Sequence, residues 1–98
     1  YIILHDGTRI GRVAFVFKEF TGIREAQLYQ KVPGAFTIRI VRGPSYRDSD
    51  ETRLLKKIRE RVGEHTDVTV EYVSELERSR TGKLRFVVSE VREGHIAS

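Results

Sequence analysis

Ninety-eight residues make one domain, enough to fill a modest core but not to enclose a deep substrate pocket as well. With 39% hydrophobic and 33% charged residues the chain is no disordered segment, and the absence of cysteine excludes a disulfide framework and a thiolate metal site. The formal charge of +4 is thinly spread except between Arg78 and Arg85, where Arg78, Arg80, Lys83 and Arg85 meet no acid, a patch suited to an anionic partner.

Tyr1–Leu4 reads as a strand, and Tyr1 opens an apolar run with no Met before it, so the chain is expected to be a piece of a longer one. Asp6-Gly7 is a turn dipeptide, and Gly11 breaks the pattern again. Val13, Val16, Phe17 and Phe20 then fall on one helical face. The β-rich composition of that segment suits a strand, but a short helix is preferred, ended by Thr21-Gly22. Ile23–Gln30 and Ala35–Arg42 form a hairpin around Lys31-Val32-Pro33-Gly34, and in its second strand Phe36, Ile38 and Ile40 alternate with Thr37 and Arg39. Asp48, with Glu51 reaching back, is expected to cap the next helix. Leu54, Leu55, Ile58 and Val62 give it one apolar stripe, Gly63 ends it, and Arg53, Lys56 and Lys57 form its wet face. Val68, Val70 and Tyr72 make a half-buried strand. After a loop from Ser74 to Gly82, Leu84, Phe86 and Val88 give the last strand its inward face. The polar tail from Glu93 is expected to be loose.

The order β-α-β-β-α-β-β predicts an α+β domain of ferredoxin-like type, a small mostly antiparallel sheet with two helices packed on it. No apolar run approaches the ~20 residues of a membrane span, and no signal peptide is visible. A cytoplasmic protein is expected, with no membrane and no nucleic-acid partner. His5, His65 and His95 stand apart without metal-ligand spacing, no catalytic carboxylate pair can be read out, and no metal site is expected.

One segment carries chemistry: Leu76-Glu77-Arg78-Ser79-Arg80-Thr81-Gly82-Lys83-Leu84-Arg85. It puts a lysine directly after a flexible Thr-Gly at the mouth of a strand, and lysine is a compact cation on a long stem. It is no Walker loop, because position 77 is Glu and a strand, not a helix, follows.

This segment resembles the C-terminal lysine motif of the adenylate-forming superfamily, Pro-Arg-Thr-x-Ser-Gly-Lys after a hydrophobic strand. Arg78, Gly82 and Lys83 match, Ser79 and Thr81 are conservative replacements, and Glu77 stands in place of the proline. The run Val70–Leu76 is similar to the strand before the motif, and Gly22–Leu28 to the family's valine-x-glutamate-alanine strand. Lys83–Ser89 and Asp6–Gly11 look most like the phenylacetate-coenzyme A ligase branch, with its capsular-polysaccharide biosynthesis relatives. The resemblance covers roughly residues 6–91. It implies that residues 1–92 are the mobile C-terminal lid of an AMP-forming carboxylate ligase, with 93–98 as a flexible tail. A carboxylate is adenylated with ATP and Mg²⁺, then passed to the thiol of coenzyme A. In such an enzyme Lys83 is the catalytic residue of the adenylation step, while Arg78, Ser79, Thr81 and Gly82 form the motif loop around the phosphate. The partners implied are the chain's own N-terminal adenylation domain, nucleotide and acyl-coenzyme A. ATP, Mg²⁺ and coenzyme A belong to the full-length enzyme, none to the isolated domain, which is expected to be inactive alone. The rival from another class is a small ferredoxin-like module that binds RNA or a regulatory ligand. Against it, no strand offers the paired exposed aromatics that stack RNA bases, since Phe36, Phe86 and Tyr72 fall at positions expected in the core.

Overall fold

The computed structural model describes residues 1–78, 81, 82, 84 and 86–91. A small hairpin opens the chain: β1 (Ile2–Ile3) pairs antiparallel with β2 (Arg9–Ile10). The turn is held by the Thr8 N–H donating to Asp6 Oδ1 at 2.9 Å, a bond that keeps the Asp6 carboxyl below its ordinary pKa. The second arm was not anticipated, because two residues before Gly11 are too short a run to show a period.

Residues Val13–Glu19 form a helix, as preferred over a strand, but of the 3₁₀ type. Its first turn holds no acidic residue, and Arg12 enters it in the left-handed conformation (φ 60°). Val13, Val16 and Phe20 repeat at three and four residues and are buried, so packing rather than propensity holds the element. Phe20 closes it in an extended conformation. Gly22, expected to be that cap, serves a different need: a Cβ there would sit 2.9 Å from the Tyr46 Cα.

The hairpin follows as read, β3 (Ile23–Val32) antiparallel to β4 (Ala35–Arg42) with Leu28 opposite Ile38. Gly34 turns the chain at φ +82°, a conformation that strains an L side chain. Next comes α1 (Asp48–Val62). Its cap lies one residue earlier than expected. Arg47 is the N-cap, and its N–H donates to Asp50 Oδ2 at 3.0 Å, while Glu51 is taken by Tyr72. Gly63 ends the helix, its N–H donating to the Arg59 carbonyl.

β5 (Asp67–Tyr72) and β6 (Val87–Ser89) complete a four-stranded sheet in the order β5-β4-β3-β6. The class is α+β with two helices, but the sheet is mixed rather than mostly antiparallel: β5 runs parallel to β4 and β6 parallel to β3. The reason is the connection. The 15 residues of α1 carry the chain back to the end at which β4 began, which a hairpin cannot do. Both helices cover one face. Leu54, Ile58 and Val62 of α1 and Val13, Val16 and Phe20 of the 3₁₀ helix share one cluster with Leu28, Phe36, Ile38 and Ile40. In the last strand Val87 packs against this cluster, whereas Phe86, expected inside, is 58% exposed. None of the described helices is long and apolar enough to cross a membrane. The tail expected from Glu93 lies outside the described residues.

At the edge of the sheet the Tyr72 hydroxyl donates to Glu51 Oε1 at 2.6 Å and lies 2.8 Å from the Tyr46 hydroxyl. Burial, then the Glu51 bond, pushes the Tyr72 hydroxyl far above its ordinary pKa of 10.0. The folded value is raised, so the stability gained from the neutral phenol is complete below about pH 10 and is lost as pH rises further, where the unfolded chain ionises first. Urea unfolding should therefore show a steep loss of stability above about pH 10, and Tyr72→Phe should flatten it. An equally steep loss in the variant would place the cause elsewhere.

Candidate functional site

The face of the sheet away from the helices is set by strand alternation. Glu25, Gln27 and Tyr29 of β3 lie beside Val41, Arg39 and Thr37 of β4. It is not an open face. Gln27 and Val41 are 2% and 6% exposed, although neither belongs to the helix-side core. After β5 the chain runs through Leu76, itself buried, to Arg78, whose guanidinium donates to the Glu25 carboxylate. That ion pair ties the start of the lysine motif to β3.

From Arg78 the motif makes a narrow loop. Arg78 and Leu84 form an antiparallel bridge, and between them Thr81 and Gly82 are exposed. Gly82 takes φ +81°, a turn conformation that suits glycine. Of the five residues expected to form the site, Arg78, Thr81 and Gly82 are therefore brought together at one projecting turn. Ser79 and Lys83 lie outside the described residues. Arg78, expected in the motif loop as a possible phosphate contact, donates from its guanidinium to the Glu25 carboxylate, which anchors the loop. The sequence signal for Glu25 was present in the Glu25-Ala26 pair, but not its partner 53 residues away.

Further along the same face the Arg39 guanidinium lies 4.2 Å from the centroid of the Tyr29 ring. The Tyr29 hydroxyl donates to Glu90, a bond that raises its pKa. The Arg39 Nε is buried and finds no hydrogen-bond partner among the described residues. Among the described residues no group of three or more His, Cys, Asp or Glu side chains is placed to hold a metal ion.

A groove of about 600 Å³, not anticipated from the sequence, lies beside the first half of β3, between the 3₁₀ helix and Leu84, Phe86 and Val87. Phe15 and Phe86 stand at it, 53% and 58% exposed. Among the described residues three cations line it: Arg12, Lys18 and Arg24. Only the Phe15 and Lys18 positions, at the outer side of the expected helix, carried a signal for it.

The chain is a two-layer α+β domain that ties a basic, glycine-turned loop to the back of its sheet. The particular family follows from comparison. The model of the CapK C-terminal domain matches residues 2–90, and the chain belongs to that family, as the C-terminal domain of a capsule-biosynthesis protein. No curated protein and no solved structure matches the chain.

Proposed function

We propose that this domain is the mobile lid of an ATP-dependent, AMP-forming carboxylate–coenzyme A ligase of the phenylacetate-coenzyme A ligase kind, acting in capsule biosynthesis, and that Lys83 is its adenylation-step lysine. The observation that carries this is the loop itself. Arg78 is held to β3 by Glu25, Arg78 and Leu84 close the neck, and Thr81-Gly82 project into solvent directly before Lys83. A loop tied at its base and exposed at its tip suits a cation that must enter another domain's site. There Lys83 would meet the oxygens on which charge grows as the carboxylate attacks the α-phosphate, a contact worth on the order of 3 kcal/mol in a dry site. ATP supplies the adenylyl group. Nucleotide and metal would be held by the N-terminal adenylation domain, and the coenzyme A thiol would be accepted after the lid has turned. The cytoplasm, where both cosubstrates occur, is the compartment this chemistry needs.

The test is carboxylate-dependent exchange of pyrophosphate into ATP by the full-length protein that carries this domain. Exchange with aryl or acyl carboxylates is expected. No exchange across a panel of such acids, with the protein folded and ATP and Mg²⁺ present, would defeat the proposal.

A further inference from the structure

β5 forms one edge of the four-stranded sheet, and among the described residues it pairs with β4 alone. None of its six residues is buried. The strand reads Asp67-Val68-Thr69-Val70-Glu71-Tyr72. It carries none of the usual devices that blunt an edge: no proline, no lysine, and no bulge in its register with β4. An edge of this kind is a template for another strand.

The direction of its backbone groups follows from the bonds to β4. The Asp67 N–H donates to the Gly34 carbonyl and the Val73 N–H to the Ile40 carbonyl, each at 2.9 Å. Backbone groups alternate in direction along a strand, so those of Asp67, Thr69, Glu71 and Val73 face β4. The N–H and C=O groups of Val68, Val70 and Tyr72 therefore face outward, away from the sheet. The side chains of these three residues pack against the helix-side cluster, while Asp67, Thr69 and Glu71 are exposed. Glu51 holds the Tyr72 hydroxyl, so that ring is fixed at the edge in advance.

A strand with outward groups at every second residue can pair with itself. An antiparallel copy, related by a twofold axis perpendicular to the sheet, keeps the two faces in phase. The side chains choose the position of the axis. With the axis at Val70, Val70 meets its own mate and Val68 meets Tyr72, each pair exchanging both backbone bonds. A β-branched residue opposite an aromatic ring is a favourable cross-strand pair. On the other face Thr69 meets Glu71. With the axis at Thr69, Asp67 would stand opposite Glu71, and with the axis at Glu71 that carboxylate would oppose itself. Like charges so placed are destabilising. An axis at Val68 or Tyr72 would leave one end of the strand unpaired.

We propose that β5 is an interface between two copies of this chain, joined antiparallel about Val70 into one continuous sheet. A seam of one strand is small beside a standard protein interface, so the dimer is weak, with Kd on the order of 10⁻⁴ M. β4 separates the seam from β3, so the Arg78–Glu25 pair that anchors the lysine loop lies off it. The interface stands whether or not the parent protein is a ligase.

The test is sedimentation of the 98-residue chain up to about 1 mM, roughly tenfold above that Kd. A concentration-dependent dimer is expected. Amide exchange at Val68, Val70 and Tyr72 should slow as the dimer forms, whereas the amides of Thr69 and Glu71 are already bonded to β4. Val70→Pro removes an outward N–H and no bond to β4, so it should weaken the dimer at least about tenfold and leave the chain folded. The register is read with cysteine, which the chain lacks. When Thr69→Cys and Glu71→Cys chains are mixed and oxidised, the mixed disulfide should far exceed either self-linked dimer, because these positions form a close cross-strand pair. Both substitutions sit at exposed positions, so this arm decides the matter even if Val70→Pro fails to fold. A chain still monomeric at about 1 mM would leave the edge to a foreign strand and overturn the proposal. So would a folded Val70→Pro chain that dimerises as tightly as the parent, or Thr69→Cys linking to itself in preference to Glu71→Cys.

Discussion

Lys83→Ala in the full-length protein is expected to slow acyl-adenylate formation by roughly 10²–10³-fold, the loss that follows removal of one pre-placed charge at a transition state. The thiol step should be nearly unaffected, because in the proposed mechanism the lid turns between the two half-reactions and takes the lysine away. Stability should also change little, within about 0.5 kcal/mol, if Lys83 acts in catalysis and not in the fold. Pyrophosphate exchange measures the first half-reaction, and pre-formed acyl-adenylate supplied with coenzyme A measures the second. Equal losses in both would assign Lys83 to the fold or to the domain interface and defeat the mechanism. Unchanged rates in both would mean that the domain has lost the adenylation role. Glu77 makes this measurement informative, since it replaces the proline that would stiffen the approach to the loop and brings a carboxylate within a few residues of the cation.

The largest expected effect on folding lies at Gln30. Its side chain is fully buried, and it joins the terminal hairpin to the main sheet. The amide oxygen accepts from the Ile3 N–H at 2.9 Å, and Nε2 donates to the Ile3 carbonyl at 2.8 Å and to the Ala35 carbonyl at 3.3 Å. In Gln30→Ala the Ile3 carbonyl keeps its bond from the Gly34 N–H, but the buried Ile3 N–H is left without a partner and a cavity opens beside it. Together these cost about 3 kcal/mol. For a domain of this size that lowers the thermal midpoint by about 12–24 °C. Gln30→Glu should be at least as damaging at neutral pH, where it buries a charge, and should recover on acidification, because a protonated carboxyl can again donate to Ile3. A midpoint within a degree or two of the parent for Gln30→Ala would show that β1 is not stapled to β3.

Local signals in the chain carried much of this architecture. Period-two alternation in Phe36, Ile38 and Ile40, with Pro33-Gly34 before them, is enough to specify a hairpin, because side-chain direction and turn chemistry are properties of neighbouring residues. The stripe Leu54, Ile58 and Val62 and the stop at Gly63 specify α1 for the same reason. Two helices and this order of strands sufficed for the α+β class, and the motif around Arg78, Thr81 and Gly82 was visible as a turn.

What tertiary structure alone decided was which distant groups meet. Alternation says that a strand has two faces but not which neighbour it takes, so the parallel pairing of β5 and β6 was invisible until the path of α1 and of the motif segment was known. A one-residue change of phase exchanges the faces, and for that reason Val87 rather than Phe86 entered the core, leaving Phe86 at the groove. Gln30 and Glu25 look like ordinary polar strand residues. Their partners, Ile3 and Arg78, lie 27 and 53 residues away, and a buried polar group is stable only where such a partner arrives. The lysine motif could be read in the sequence as a pattern. That its loop is tied by Arg78 to the back of the sheet was settled by packing, which brings Glu25 to the one place where that guanidinium can reach it.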